Sequence, residues 1–298
     1  MSLPELHGVV PIVVTPFDER GQIDEESLRR LVEFCLDAGV HGLGIALGSE
    51  IYKLNEAERE RVIAIVVEQT RNRVPVIVNT GAAATDLAVW LSKRAEKLGA
   101  SAIMCMPPGA GFSASEVLSY YAAISNAVSV PVMIQDTAST PVSASLIRAI
   151  ADSCENVQYA KVESMPPALQ IYGAVQAGGD AVAIFGGAAG QSFLQELRRG
   201  AIGTMPWPST PRAFVQVWDL WQAGDRAGAT DVFEERITPL LRISIGSLGG
   251  GHLIHKEVLR RQGVIASGHV RRPIDPLDPV TLEELDEVCA RLGFTQVA

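Results

Sequence analysis

The sequence predicts an α/β fold, a (β/α)₈ TIM barrel with a C-terminal helical appendage. Two observations predict it: short runs rich in Val, Ile and Ala alternate eight times with helix-length segments up to about residue 205, and the runs lack the polar–apolar alternation of a half-exposed sheet. A third observation separates this fold from a doubly wound open sheet. The first βα turn reads Thr15-Pro16-Phe17 and carries no glycine-rich phosphate fingerprint.

The strand candidates, in order, are Gly8 to Val14, Gly42 to Ala46, Val74 to Asn79, Ala102 to Met106, Val130 to Gln135, Val157 to Val162, Ala181 to Phe185 and Ala201 to Met205. Capping residues place the helices between them. Asp24 opens Glu25 to Ala38, Asn55 opens Glu56 to Thr70, and Ser113 or Ser115 opens a segment running to Val128. Gly39 and Gly99 sit where C-terminal glycines end helices. After Met205 the pattern becomes helical only: Thr210 to Ala223, Arg226 to Ile245, a piece around Leu253 to Arg261, and Thr281 to Leu292. The linker Arg271 to Pro279 holds three prolines and reads as extended surface chain. The expected division is a barrel core over residues 1–208 and the final barrel helix with the helical region over 209–298.

At 298 residues, 47% hydrophobic and 20% charged, the chain has room for a large core and lacks the composition of disorder. A net charge of -9 argues against nucleic-acid and membrane-surface partners, whose own negative charge would repel it, and leaves small anions bound by local donors. Four cysteines without C-x-x-C spacing fit a reducing cytoplasm, and no signal segment or bilayer-length apolar run is seen, so a soluble cytosolic protein is expected.

In such a barrel the chemistry collects at the C-terminal ends of the strands. Read off in order, those ends hold Thr15, Ser49 and Glu50, Asn79 and Thr80, Gln135 and Asp136, Lys161 and Glu163, and Gly186-Gly187. Lys161 stands out because its strand otherwise reads as buried on both faces, where lysine is rare. Desolvation favours a neutral amine, which attacks ketones to form a Schiff base. The competing reading is an ammonium that reaches solvent or pairs with Glu163. The two glycines allow close approach of a substrate or simply make a tight turn. His252 and His255 share a helical face in the tail, with no carboxylate or cysteine set to complete a metal site, so no metal is expected. Trp207, Trp218 and Trp221 read as packing the tail onto the barrel or a neighbouring subunit.

Pro11 to Phe17, the Ser49-Glu50 pair with Leu54 after it, Val130-Pro131-Val132, the Lys161 strand, Gly178-Gly179-Asp180 and Gly200-Ala201-Ile202-Gly203 together resemble the dihydrodipicolinate synthase and N-acetylneuraminate lyase family. The resemblance runs nearly end to end. It implies a (β/α)₈ barrel with a C-terminal helical domain, usually a homotetramer or otherwise a dimer, acting on a small 2-oxo acid without any cofactor beyond a covalent imine at Lys161. Four departures stand out. Ala46-Leu47-Gly48-Ser49-Glu50 replaces the usual G-T-T-G-E, Gln135 occupies the place of the strand-five tyrosine, Gly109 that of the interface tyrosine, and no arginine lies between Gln135 and Val142. Ala46, Ser49 and Glu50, Met104 with Met106-Pro107-Pro108, Pro131 to Asp136, Lys161-Val162-Glu163 and Gly263 to Ser267 are similar to the L-2-keto-3-deoxyarabonate dehydratase branch.

The resemblance implies that Lys161 attacks the C2 ketone and that the iminium acidifies C3. The enamine formed next expels a hydroxyl group. Glu163, on the same strand face as Lys161, is either the base for C3 or a fixed partner of Lys161. Ser49, aided by backbone N–H groups at the start of the following helix, would hold the carboxylate, with Gly48 and Glu50 beside it. Gln135 would position substrate or water, and Asp136 either binds a sugar hydroxyl or caps a turn. Three other readings are a synthase or aldolase using the same imine, a catalytically silent 2-oxo acid binding protein, and a metal-dependent barrel.

Overall fold

The computed structural model describes residues 6–246 and 250–294. Within them the apolar runs pair as eight parallel strands: β1 Gly8–Val9, β2 Leu43–Ile45, β3 Val76–Asn79, β4 Ala102–Cys105, β5 Val132–Asp136, β6 Val157–Val162, β7 Ala183–Gly186 and β8 Gly203–Thr204. Their order is β1-β8-β7-β6-β5-β4-β3-β2. The sheet curls until Ile12 bridges Gly44 of β2, with Gly44 N–H donating to Pro11 O at 2.9 Å and Val13 N–H to Gly44 O at 2.9 Å. The fold is a (β/α)₈ barrel with a helical C-terminal appendage. β1 is shorter than the expected Gly8 to Val14 because Pro11 has no N–H for the ladder, so pairing lapses after Val9 and returns as a bridge.

The helices are α1 Glu25–Asp37, α2 Glu56–Thr70, α3 Thr85–Lys97, α4 Ala114–Ser125, α5 Ala144–Ser153, α6 Pro167–Gly178, α7 Phe193–Leu197, α8 Pro211–Gln222, α9 Arg226–Val232, α10 Thr238–Gly246, α11 Gly250–Arg261 and α12 Pro279–Leu292. Asp24 accepts from Ser27 N–H at the start of α1, and Asn55 and Ser113 form reciprocal capping boxes with Glu58 and Glu116. Ser113 is therefore the cap of α4. The expected helix from Arg226 is divided by a π-helical turn at Phe233–Ile237. α12 begins at Pro279, two residues early, because proline suits the first helical turn and Asp278 caps Val280 and Thr281 N–H.

Two apolar layers hold the barrel. Val10, Ile12, Ile77, Met104, Met133, Tyr159, Phe185 and Met205 fill its interior, and a larger layer packs the strands against the helices. This filled interior is the floor on which the site stands. The seam between β1 and β8 is the tightest place: a Cβ on Gly203 would lie 2.1 Å from Gly8 O and 2.6 Å from Gly8 N, backbone atoms that no rotamer change can move aside. Gly203→Ala should therefore lower unfolding free energy by about 3 kcal/mol or more in denaturant titration. An unaltered midpoint would mean that the seam is looser than described.

Candidate active site

Inward-facing positions recur every second residue along each strand. Two residues beyond the apolar floor of Ile77, Met133, Tyr159 and Phe185 stand Asn79, Gln135, Lys161 and Gly187. Asn79 Nδ2 donates to Gln135 Oε1 at 2.7 Å, and Gln135 Nε2 donates to Glu163 Oε2 at 2.9 Å. Lys161 Nζ, on a side chain only 5% exposed, pairs with the same Oε2 at 2.8 Å. Ala188 N–H completes the set by donating to Glu163 Oε1 at 2.7 Å. Gln135 uses its amide at both ends, so Asn79 and Gln135 together orient the carboxylate that faces Lys161.

Glu163 fits because Gly187 has no side chain. A Cβ there would stand 2.5 Å from Glu163 Cγ. Burial alone would push the Glu163 carboxyl up, but the Lys161 ammonium and the donors from Lys161, Gln135 and Ala188 hold it below its ordinary value of 4.5. The pair borders a cavity of about 240 Å³ that Gln135 also lines, with Ala46, Leu47, Gly48, Met205 and Trp207 among its other walls. Lys161 is the one cation among these lining residues. Leu47 and Gly48 begin a 3₁₀ turn, Leu47–Ser49, whose first N–H groups have no partner within the turn.

The remaining expected site residues are placed differently. Ser49 turns away from the cavity: its hydroxyl donates to Val13 O and accepts from Ala46 N–H at 3.1 Å. In place of a substrate contact it fixes the 3₁₀ turn against the end of the first strand segment. Glu50 is fully buried outside the cavity, in the left-handed conformation (φ 57°), between Lys256 and Lys53. Asp136 takes the turn-capping alternative, accepting from Val142 N–H at 2.8 Å, Ser164 N–H at 3.0 Å and Ser164 Oγ at 2.5 Å. Gly186 and Gly187, read as a substrate approach or a tight turn, admit protein carboxyl groups, Glu196 and Glu163.

The tail histidines, far along the chain from the strand ends, lie beside the barrel mouth. Trp207 stacks on His255 at 4.8 Å and meets His252 edge-on at 5.0 Å, so the cavity wall is backed by α11. Burial pushes His255 down to about 3, which keeps the ring neutral against Trp207 while Nδ1 shares a hydrogen bond with Ser209 Oγ at 2.7 Å. Trp218 packs instead on His7 and His41. Lys256 and Glu196 escaped the sequence reading. Glu196 had a local signal, because it shares an i, i+3, i+4 stripe with Phe193 and Leu197. Lys256 had none, since its partner Glu50 lies 206 residues away.

An eight-stranded barrel with a buried lysine paired to a glutamate at its mouth is a scaffold that can present an amine to a bound molecule. The model of the dihydrodipicolinate synthetase family matches residues 5–292. An L-2-keto-3-deoxyarabonate dehydratase from Azospirillum brasilense is 33% identical, covering 98% of this chain and 96% of its own. A 4-hydroxy-tetrahydrodipicolinate synthase from Bartonella bacilliformis is 28% identical over 97% of this chain and 99% of its own. The crystal structure of dihydrodipicolinate synthase from Rhodopseudomonas palustris superposes with a TM-score of 0.89 at 28% identity, covering 97% and 99% of the two chains. The protein belongs to the dihydrodipicolinate synthetase family and is a lyase.

Two outcomes follow from this geometry. Gly187→Ala displaces the Glu163 carboxyl and should lower kcat about 100-fold, since a shift near 1 Å suffices for such a loss; steady-state kinetics beside a thermal melt separates this from unfolding. Lys256→Met removes the nearer of two cations from fully buried Glu50 and should lower stability by about 3 kcal/mol. Urea titration reads that loss directly.

Proposed function

We propose that this lyase dehydrates a 2-keto-3-deoxy sugar acid, L-2-keto-3-deoxyarabonate foremost, through an imine on Lys161. The observation that carries the reading is the Lys161–Glu163 contact at 2.8 Å with Gln135 standing where the family resemblance places a tyrosine. An amide cannot relay a proton, whereas Glu163 reaches the reacting amine and can.

Moving one proton from Lys161 Nζ to Glu163 Oε2 leaves a neutral amine. That amine attacks C2, and the C2 oxygen departs as water to give the iminium. Glu163, again ionised, takes a proton from C3; the electrons of that C–H bond form the enamine. The enamine then expels the C4 hydroxyl, which leaves as water with the proton that Glu163 has just accepted. Loss of a C5 proton and protonation at C3 move the double bond to C4=C5, the resulting enol tautomerises to the aldehyde, and water hydrolyses the imine to release the product and free Lys161. One carboxyl thus serves as base and then as acid, and the imine on Lys161 supplies the electron sink without a cofactor. The first amides of the Leu47–Ser49 turn, which have no acceptor within the turn, offer a cradle for the substrate carboxylate, the role that Ser49 was expected to lead.

Two features weigh against synthase chemistry. Among the described residues no cation other than Lys161 lines the cavity, so a second substrate carboxylate finds no counter-charge among them, and Gln135 removes the proton relay. Met165, Leu169 and Tyr172, exposed apolar side chains spaced three and four residues apart, support a homo-oligomer, either tetramer or dimer. The four cysteines are free and buried, which suits a reducing cytoplasm.

Incubation with L-2-keto-3-deoxyarabonate should yield 2-oxoglutarate semialdehyde. Failure on that acid, with consumption of pyruvate plus an aldehyde in its place, would transfer the assignment to carbon–carbon bond chemistry. Glu163→Gln should lower kcat by about 10² to 10⁴ while pyruvate still binds, because it removes the acid–base group and keeps the hydrogen-bond shape.

A further inference from the structure

Behind β7, on the side away from the cavity, lies a carboxyl group that this reaction does not use. Glu196 on α7 is fully buried, and neither side-chain oxygen has a hydrogen-bond partner among the described residues. It occupies the space of the side chain that Gly186 lacks: a Cβ there would stand 1.8 Å from Glu196 Oε2. Glu163 fills the same space at Gly187. Consecutive residues at a strand end point to opposite faces, so the two carboxyl groups lie on opposite sides of one stretch of glycine backbone. Thr204, the register partner of Gly186 on β8, adds a third buried oxygen without a partner.

The charges that act on Glu196 are Glu163 and Lys161, both across β7. No other titratable side chain occurs on α7, β7 or β8, and α6 carries only the exposed Tyr172. α8 touches α7 through the Phe193–Phe214 ring contact; its Arg212 donates to Asp37 O, and its Asp219 acts on His41. Burial first, and the Glu163 charge second, push the Glu196 carboxyl up to about 8 against the opposing pull of Lys161.

We propose that Glu196 is a positioning residue that acts through Glu163: standing as a neutral acid behind the Gly186–Gly187 backbone, it leaves Glu163 the single negative charge at the cavity. Once ionised, Glu196 would make protonated Glu163 hold its proton more tightly and would repel the carboxylate of a 2-oxo acid. The kinetic half of this inference rests on the role of Glu163 proposed above; the buried acid itself does not.

The sign of the pH dependence follows from a folded value above the ordinary 4.5. The folded state binds the extra proton between those values, so the stability that Glu196 contributes is complete below about pH 4.5 and is lost as pH rises to about 8. Glu196→Gln keeps the shape without the charge. The melting temperature of the variant should therefore gain on that of the wild type as pH rises from about 5 to about 8. In the wild type, kcat/KM for L-2-keto-3-deoxyarabonate should fall about tenfold per pH unit above about 8, and the variant should not show that fall. Should the variant not fold, the wild type decides: infrared spectra in D₂O should show a protonated carboxyl band at pH 6 that vanishes by pH 9.

A constant melting difference across this range, or no such band, would overturn the buried acid. Coincident kinetic profiles, with both proteins turning the sugar acid over, would overturn the positioning role. Absence of turnover by either protein, with the melting and infrared results as expected, would remove the dehydration reading and leave the buried acid standing.

Discussion

The site is organised around one ion pair on top of a filled barrel. Lys161 and Glu163 are drawn together because a lysine 4% exposed cannot remain without a counter-charge, and the apolar floor of Tyr159, Phe185 and Met133 keeps water from supplying one. A buried pair adds little net stability, since desolvation of both ions offsets their attraction. Its value lies in holding an amine and a carboxyl within proton-transfer distance. Gln135, itself held by Asn79, and the Ala188 amide donate to the carboxylate, so its geometry is fixed before substrate enters.

The appendage is part of this arrangement. Glu50 and Lys256 join the end of the second strand to α11, and Lys256 reaches on to His269 O at 2.9 Å and lies over the Phe17 ring at 4.4 Å. Burial pushes Lys256 down to about 8, with the charge and hydrogen bond of Glu50 offsetting part of that shift. The same helix presses His252 and His255 against Trp207, whose ring lines the cavity. A residue pair that bears no substrate thus fixes the wall of the pocket.

The barrel was legible in the sequence because its signals are local: apolar runs of strand length and helix caps at Asp24 and Asn55; the lapse of the first strand at Pro11 was not read. Lys161 was legible because a charge in an apolar run is a local contradiction, and the period of two put Glu163 beside it. What could not be read was which hydroxyls and carboxylates turn inward. Ser49 and Asp136 lie at strand ends as functional residues do, yet each is consumed by nearby backbone N–H and C=O groups. The paired glycines looked like a substrate approach or a tight turn, and the atoms they admit come from Glu163 in a neighbouring loop and Glu196 in the next helix. Such choices depend on three-dimensional neighbours that spacing alone does not specify.

The proposed role of Lys161 as nucleophile can be tested without knowledge of the sugar acid. The protein is treated with pyruvate and borohydride, digested, and its peptides weighed. The account requires a reduced pyruvate adduct on the peptide bearing Lys161, absent without pyruvate. An adduct on Lys53 or Lys256, or none at all, would contradict it.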